Sequence, residues 1–205
     1  MTKHKIPDRV RFWWAGLSAY TNPLFPFALR HREARFLRTV ETIRAYKEHG
    51  IILDVGTGSG RLPLLLAQAA PKVKCIGVDL NLVLLQSAQR ISSEKQVGDR
   101  ILFVLADVQA LPLASLSVDL AVSIASFHQW HNREKGIMEL HRVLKNGGVI
   151  LVLVGVCLMW LFDFFKRNLA NSRDIKWLFE TVGFKDVTIT RLEPGSDSLL
   201  IFGRK

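Results

Sequence analysis

A chain of 205 residues, 49% of them hydrophobic, is long enough for one domain with a full core, and its composition suits an α/β fold around a buried sheet. The only two cysteines, Cys75 and Cys157, each sit in an apolar run away from metal-like His/Asp clusters. That argues against a disulfide framework or zinc site and for a reducing, cytoplasmic setting. The formal charge is +10 and uneven: residues 1–50 hold ten Lys/Arg against four Asp/Glu. An anionic partner (nucleic acid, a membrane surface or an acidic substrate) is therefore weighed against a plain solvated basic face.

The start, Met1-Thr-Lys-His-Lys-Ile-Pro-Asp8, does not read as a signal peptide, because no apolar run comes after it. Residues 1–30 are irregular, aromatic and basic, and Pro23 and Pro26 preclude one continuous helix. His31 to Glu48 reads as a helix with Phe36, Leu37, Val40, Ile43 and Tyr46 on one face, ended by Gly50. Residues 1–48 are expected to form a lid or helical extension, and 49–205 the main domain.

Ile51 to Val55 reads as a buried strand broken by one acid, Asp54. Gly56, Gly58 and Gly60 follow at alternate positions, and a helix begins at Arg61 with Ser59 as its expected N-cap. Pro63 is tolerated there because first-turn N–H groups lack intrahelical partners. A strand, a glycine turn and a helix N-terminus make a small-molecule cradle. The dinucleotide pattern G-x-G-x-x-G/A fails, since Arg61 stands at its last position. The Asp54 carboxylate would repel a pyrophosphate but suit a cationic ligand. This stretch resembles motif I of the class I S-adenosylmethionine-dependent methyltransferases, D/E-x-G-x-G-x-G. That resemblance implies S-adenosylmethionine as cofactor, held around Asp54, Gly56, Thr57, Gly58 and Gly60.

Val73 to Asp79 is the second strand, followed by a helix from about Asn81 to Lys95 with Leu82, Leu85 and Ala88 inward. An acid at the end of a second strand, about twenty residues past the glycines, can accept ribose hydroxyls. The resemblance gives Asp79 that role, with Leu80 beside it. Ile101 to Asp107 is the third strand. Its continuation, Leu105-Ala-Asp-Val-Gln-Ala-Leu-Pro112, resembles the family's A-D-x-x-x-L-P motif. There the acid takes the adenine amino group, which implies Asp107 and the Val108 backbone. A carboxylate is a good acceptor for such an amine.

Val118 to Ile124 is the fourth strand, and Asp119 within it reads as structural. A helix from about Arg133 to Leu144 leads to Asn146-Gly-Gly, read as a helix C-terminal signal. His141 to Gly148 resembles the family's L-x-R-V-L-K-P-G-G, with Asn146 in place of the proline. Gly148 to Val154 is the fifth strand. The apolar run Val149–Phe162 falls short of the roughly 20 residues of a bilayer span and reads as a buried strand entering an apolar helix. A helix Asp174–Thr181, a strand Val187–Leu192, a turn Glu193–Asp197 and a strand Leu199–Phe202 close the chain. Almost wholly apolar strands alternating with helices mean a parallel sheet covered on both faces. The short final turn implies an antiparallel hairpin. The family resemblance implies the Rossmann-like, seven-stranded methyltransferase fold.

The acceptor is expected beyond the fourth strand, at Ser123–His131. Phe127, His128 and Trp130 lie there, with His128 a candidate proton acceptor or a packed core histidine. Trp13 and Trp14 from the N-terminal segment, and Trp160 after the fifth strand, are candidate walls of an apolar or aromatic acceptor pocket. No N/D-P-P-Y/F pattern succeeds the fourth strand, and no P-C pair occurs. Both absences argue against the common nucleic-acid methyltransferases, despite the charge. The reading is a small-molecule methyltransferase of the broad group that includes quinone-biosynthesis C-methyltransferases, with no metal. An RNA methyltransferase, a non-catalytic cofactor-binding subunit and, last, a dehydrogenase are the competing readings. The basic aromatic N-terminus is a candidate for peripheral membrane contact.

Overall fold

The computed structural model describes residues 25–154, 172–191 and 199–205, with side chains from Phe36 onward except Ser172. Trp13, Trp14, Trp160, Cys157, the apolar stretch after Val154 and the turn Glu193–Asp197 lie outside the described residues. The chain divides into two compact units, Met1–Arg35 and Phe36–Lys205. The described part of the first is helix backbone from Phe25 to Arg35. The second carries the sheet and both cores.

In chain order the described elements are α1 (Phe25–Tyr46), β1 (Gly50–Val55), α2 (Arg61–Ala69), β2 (Val73–Asp79), α3 (Leu82–Glu94) and β3 (Ile101–Leu105). They continue with β4 (Val118–Ile124), α4 (Arg133–Val143), β5 (Leu144–Val154), α5 (Ser172–Val182), β6 (Lys185–Arg191) and β7 (Leu199–Arg204). The seven strands form one sheet in the order β3-β2-β1-β4-β5-β7-β6. The first five pair in parallel, and β7 lies antiparallel between β5 and β6. The expected seven-stranded mixed sheet is the one observed.

Alternate residues of each strand enter opposite cores, as the two-residue period of a strand requires. Ile52, Cys75, Leu120 and Leu151 join Val40 and Ile43 of α1 and Leu62 and Leu66 of α2 on one face. Leu53, Val78, Ala121 and Ile150 join Ile137 and Leu140 of α4 and Phe179 of α5 on the other. Cys75 is buried, and burial pushes its thiol up to about 12, so it is inert packing.

Several local expectations are corrected. α1 begins at Phe25 and ends at Tyr46, and two residues of its expected inner face, Leu37 and Tyr46, are exposed, while Thr39 is buried. Tyr46 instead meets Phe202 of β7, ring centroids 5.4 Å apart. On α3, Leu85 and Ala88 are buried as expected, but Leu82 is exposed. It sits in the first turn, and Asn81 caps that turn by accepting from the Val83 and Leu84 amides.

Asn146-Gly-Gly does not end α4. The helix stops at Val143, and β5 is already paired at Leu144↔Val118. Pairing resumes at Val149↔Leu120, so Lys145–Gly148 bulge out opposite Asp119 alone. Gly147 takes φ +73° there, and Gly148 closes against the Asp119 carbonyl, 3.2 Å from where a Cβ would stand.

Asp119 fits its structural reading. Its carboxylate accepts the Ile51 amide at 2.9 Å and Lys145 Nζ at 2.8 Å, with Lys47 at 3.7 Å. Burial alone would raise its pKa, but the Ile51 amide and the two lysines outweigh that and hold it below the usual carboxylate value.

Candidate functional site

Parallel strands place the C-terminal ends of β1, β2, β3 and β4 at one edge, and the strand order reverses between β1 and β4. That reversal opens a crevice beyond the strand ends, where open α/β sheets hold ligands.

The turn after β1 forms the floor. Gly56 and Thr57 both donate their amides to the Val78 carbonyl, at 2.9 and 3.0 Å, so the turn folds back over the end of β2. Gly56, Gly58 and Gly60 all have positive φ, +72°, +55° and +73°. Packing separates their roles. A Cβ on Gly56 would lie 2.3 Å from Ser126 Cβ, and one on Gly60 would lie 2.8 Å from Phe103 Cζ and 2.9 Å from Ala88 Cβ. At Gly58 it would meet nothing within 4 Å. The outer glycines are demanded by the protein's own packing; the middle one faces open space.

Gly60, not Ser59, is the N-cap of α2, in left-handed conformation and without a side-chain cap bond. The N-terminal amides of α2 are thus left without a serine hydroxyl over them, and the helix dipole favours a negative group nearby.

Two acids flank the crevice. Asp79 is half-buried; its Oδ2 accepts the Gly58 amide at 2.8 Å and its Oδ1 the Asn81 amide at 2.9 Å. Asp107 is also half-buried; β3 ends at Leu105, short of the expected Asp107, so this acid opens the connection two residues beyond the strand. It accepts the Gln109 amide at 2.9 Å, while Gln109 Nε2 lies 3.1 and 3.0 Å from its two oxygens. Leu80 is 56% exposed between these acids in sequence, an apolar surface at the rim, whereas Val108 is packed in the core.

Asp54 lies beneath the turn, 4% exposed, with Thr57 Oγ1 donating to its Oδ2 at 2.7 Å. Burial pushes its carboxyl up to about 7, against the Thr57 hydrogen bond and with help from the charge of Asp79. An acid raised this far by desolvation gains from a cation brought close to it. The donor set as a whole suits a nucleoside with a positively charged tail: acids at two strand ends, a third below the turn, and an open glycine between.

Beyond β4 the chain turns sharply at Ala125, φ +54°, into a short 3₁₀ turn, Phe127–Gln129. Ser126, which sequence reasoning passed over, organises this loop. Its Oγ donates to the Val55 carbonyl at 2.9 Å, accepts the Trp130 indole N–H at 3.2 Å and lies 2.8 Å from Ser123 Oγ. Nothing in a lone serine of this loop signals that role before the fold is known. Phe127, expected to face the acceptor, is 1% exposed and packs on Trp130 and Phe179, so it supports the loop from within the core. Trp130 is half-buried, edge-on to Phe127 at 5.0 Å. His128 is half-buried; burial, then the Arg133 charge, push its pKa below the usual imidazole value. It is therefore neutral at pH 7, the form that accepts a proton.

Among the described residues no group of His, Cys, Asp and Glu could hold a metal, and no helix is long and apolar enough to cross a membrane.

Residues 53–152, about half of the chain, match the family described as a methyltransferase domain. A ubiquinone/menaquinone biosynthesis C-methyltransferase of Syntrophotalea carbinolica is 36% identical over 104 residues, 51% of this chain and 43% of that protein. A malonyl-[acyl-carrier protein] O-methyltransferase of Gallionella capsiferriformans is 35% identical over 120 residues, 57% of this chain and 41% of that one. The matches thus span well under half the length of these two relatives. A SAM-dependent methyltransferase from Aquifex aeolicus superposes with a TM-score of 0.68 at 16% identity, over 80% of this chain and 87% of its own, which speaks for the fold. With its sheet order, its glycine turn and the acids at its strand ends, the chain belongs to the class I S-adenosylmethionine-dependent methyltransferases.

Proposed function

We propose that this protein transfers the methyl group of S-adenosylmethionine to a small apolar or aromatic acceptor. The observation that carries the reading is the pairing of Asp79 with the Gly58 amide below open space. In this reading Asp79 takes the ribose hydroxyls and Asp107 the adenine amine. Gly56, Thr57, Gly58 and Gly60 line the floor, with Leu80 and the Val108 backbone along the base. Asp54 answers the positive charge from below.

S-adenosylmethionine supplies an activated methyl on a sulfonium. The chain's own work is to hold that group and the acceptor in line near contact distance, and to keep water out. His128, neutral at pH 7, is the candidate to take the acceptor's proton. Trp130 is the described candidate for the acceptor wall. Trp13, Trp14 and Trp160, which lie outside the described residues, complete that proposal, together with a lid drawn from residues 1–48.

The acceptor class draws on two supports. The loop after β4 lacks the N/D-P-P-Y/F pattern, with Ser123-Ile-Ala-Ser126 in its place. The two relatives named above are described as acting in quinone biosynthesis and on a malonyl-carrier, neither a nucleic acid. The test is incubation of the protein with methyl-labelled S-adenosylmethionine and fractionated cell extract. Label is expected in a lipid or small-metabolite fraction. Label confined to RNA would favour a nucleic-acid enzyme, and tight cofactor binding without transfer to any fraction would favour a non-catalytic subunit.

A further inference from the structure

The stretch from Ala106 to Ser117 joins β3 to β4 without regular structure, yet it begins with the acid assigned to the adenine amine. Ordering free backbone costs conformational entropy at every residue, so something must hold a twelve-residue stretch if its first acid is to be fixed. The holding groups lie on α4, distant in sequence.

Arg142, in the last turn of α4, makes five hydrogen bonds, two to Glu139 on its own helix and three to this stretch. Nε and Nη2 donate to the two oxygens of Glu139 at 2.8 and 2.9 Å. Nη2 also donates to the Leu111 carbonyl at 3.0 Å, and Nη1 to the Leu113 carbonyl at 2.8 Å and Ser115 Oγ at 3.2 Å. Glu139 Oε2 accepts the Leu111 amide at 2.8 Å. Both backbone polar groups of Leu111 are therefore held by one ion pair, while its side chain is 5% exposed in the core. The backbone of α4 adds the Leu116 amide on the Arg142 carbonyl, 3.1 Å, and the Ser117 amide on the Val143 carbonyl, 2.8 Å. The mutual hydrogen bond holds Glu139 below, and Arg142 above, its usual pKa, so both stay charged.

From Leu111 the constraint runs back to Asp107 in one turn. The Ala110 amide donates to the Asp107 carbonyl at 3.0 Å, and the Gln109 amide to Asp107 Oδ1. A turn closed at one end by Asp107 and clamped at the other by Glu139 and Arg142 leaves the carboxylate little room to rotate. We infer that the Glu139–Arg142 pair is a positioning device for recognition of the adenine amine, acting through Leu111 on Asp107. The inference rests on the cofactor reading above and extends it to residues that touch no ligand. Lysine cannot substitute, because one ammonium cannot serve a bidentate carboxylate and two separate carbonyls at once.

The test is calorimetric titration of the full chain with S-adenosylhomocysteine and with its inosine analogue, in which a carbonyl oxygen replaces the adenine amine. The unmodified protein should prefer the adenine ligand by about tenfold, as one hydrogen bond to a charged acceptor warrants. Arg142→Gln should weaken the adenine ligand by about that factor, leave the inosine analogue near its original affinity, and so abolish the preference. Arg142→Lys should recover little of it. Glu139→Gln, which keeps shape and loses charge, should lower the preference in the same direction and serves if Arg142→Gln fails to fold. A preference kept in the variants overturns the inference alone, and so does equal weakening of both ligands, the mark of a general structural loss. Failure of the unmodified protein to bind either ligand overturns the cofactor reading, and this inference with it.

Discussion

Asp79 Oδ2 accepts the amide of Gly58 at 2.8 Å, so the acid ending β2 holds the middle glycine of the turn after β1. One side chain thus shapes the floor of the crevice and stands at its rim. Replacement by alanine removes a charged acceptor from the Gly58 and Asn81 amides and from any ribose above. Asp79→Ala should weaken S-adenosylhomocysteine binding by about a hundredfold or more, at roughly 1.5–3 kcal/mol per charged hydrogen bond. Titration calorimetry on the folded variant checks this; unchanged affinity would contradict the ribose assignment.

The three glycines should part company under substitution. Gly60→Ala places a Cβ against Phe103 and Ala88 at a positive φ, and should cost stability by about 2–3 kcal/mol. Gly58→Ala has free space and should cost only about 1 kcal/mol for its left-handed backbone. Its Cβ enters the ligand's space, so binding should fall far more than stability. Urea unfolding beside ligand titration separates the two, and equal losses of stability would count against the division of roles.

Asp54 predicts a slope in stability with pH. Its carboxyl is raised from 3.8 to about 7 in the folded chain, so between those values the folded state binds more protons than the unfolded state. Its contribution is therefore full below about pH 4, falls as pH rises through 7 and is flat above, a change of order a few kcal/mol. Asp54→Asn should remove that slope in unfolding measured from pH 5 to 8. A cationic ligand beside Asp54 favours ionisation, so binding S-adenosylmethionine near pH 7 should release more protons than binding the uncharged-sulfur product. Calorimetry in buffers of different ionisation enthalpy reads the difference.

Asp119 provides the contrast to Asp79. It fastens Ile51, at the far end of β1 from the crevice, and pairs with Lys145 and Lys47. Asp119→Ala should lower stability by about 1–3 kcal/mol, the cost of leaving a part-buried amide without a partner. Ligand affinity in the folded variant should stay within a factor of two or so of the unmodified protein, since no crevice residue moves. A large loss of affinity would show that the two ends of β1 are coupled.

The first two strands were legible because each is a short, largely apolar run that ends at an acid or runs into a glycine, and the parallel pairing follows from alternation with helices. Asp119 was legible as structural because it begins its strand, opposite the crevice edge. Features that depended on contacts distant in sequence were not legible. The exposure of Leu82, in the first turn of α3, is not signalled by the helix's own periodicity. Asn146-Gly-Gly carries the residues of a helix stop and serves a bulge, held by the Lys145–Asp119 pair and by the Lys205 backbone, which bonds to Gly147 and Gly148. Ser126 and Arg142 show the same limit. Each is an ordinary polar residue whose partners, Val55 and Leu111, are brought to it only by the finished sheet.

The most direct test of the central claim is a crystal structure of the chain with S-adenosylhomocysteine. The ligand should lie across the ends of β1, β2 and β3, its ribose hydroxyls on Asp79 and its base amine at Asp107. An empty crevice, or a ligand bound elsewhere on the sheet, would contradict the account.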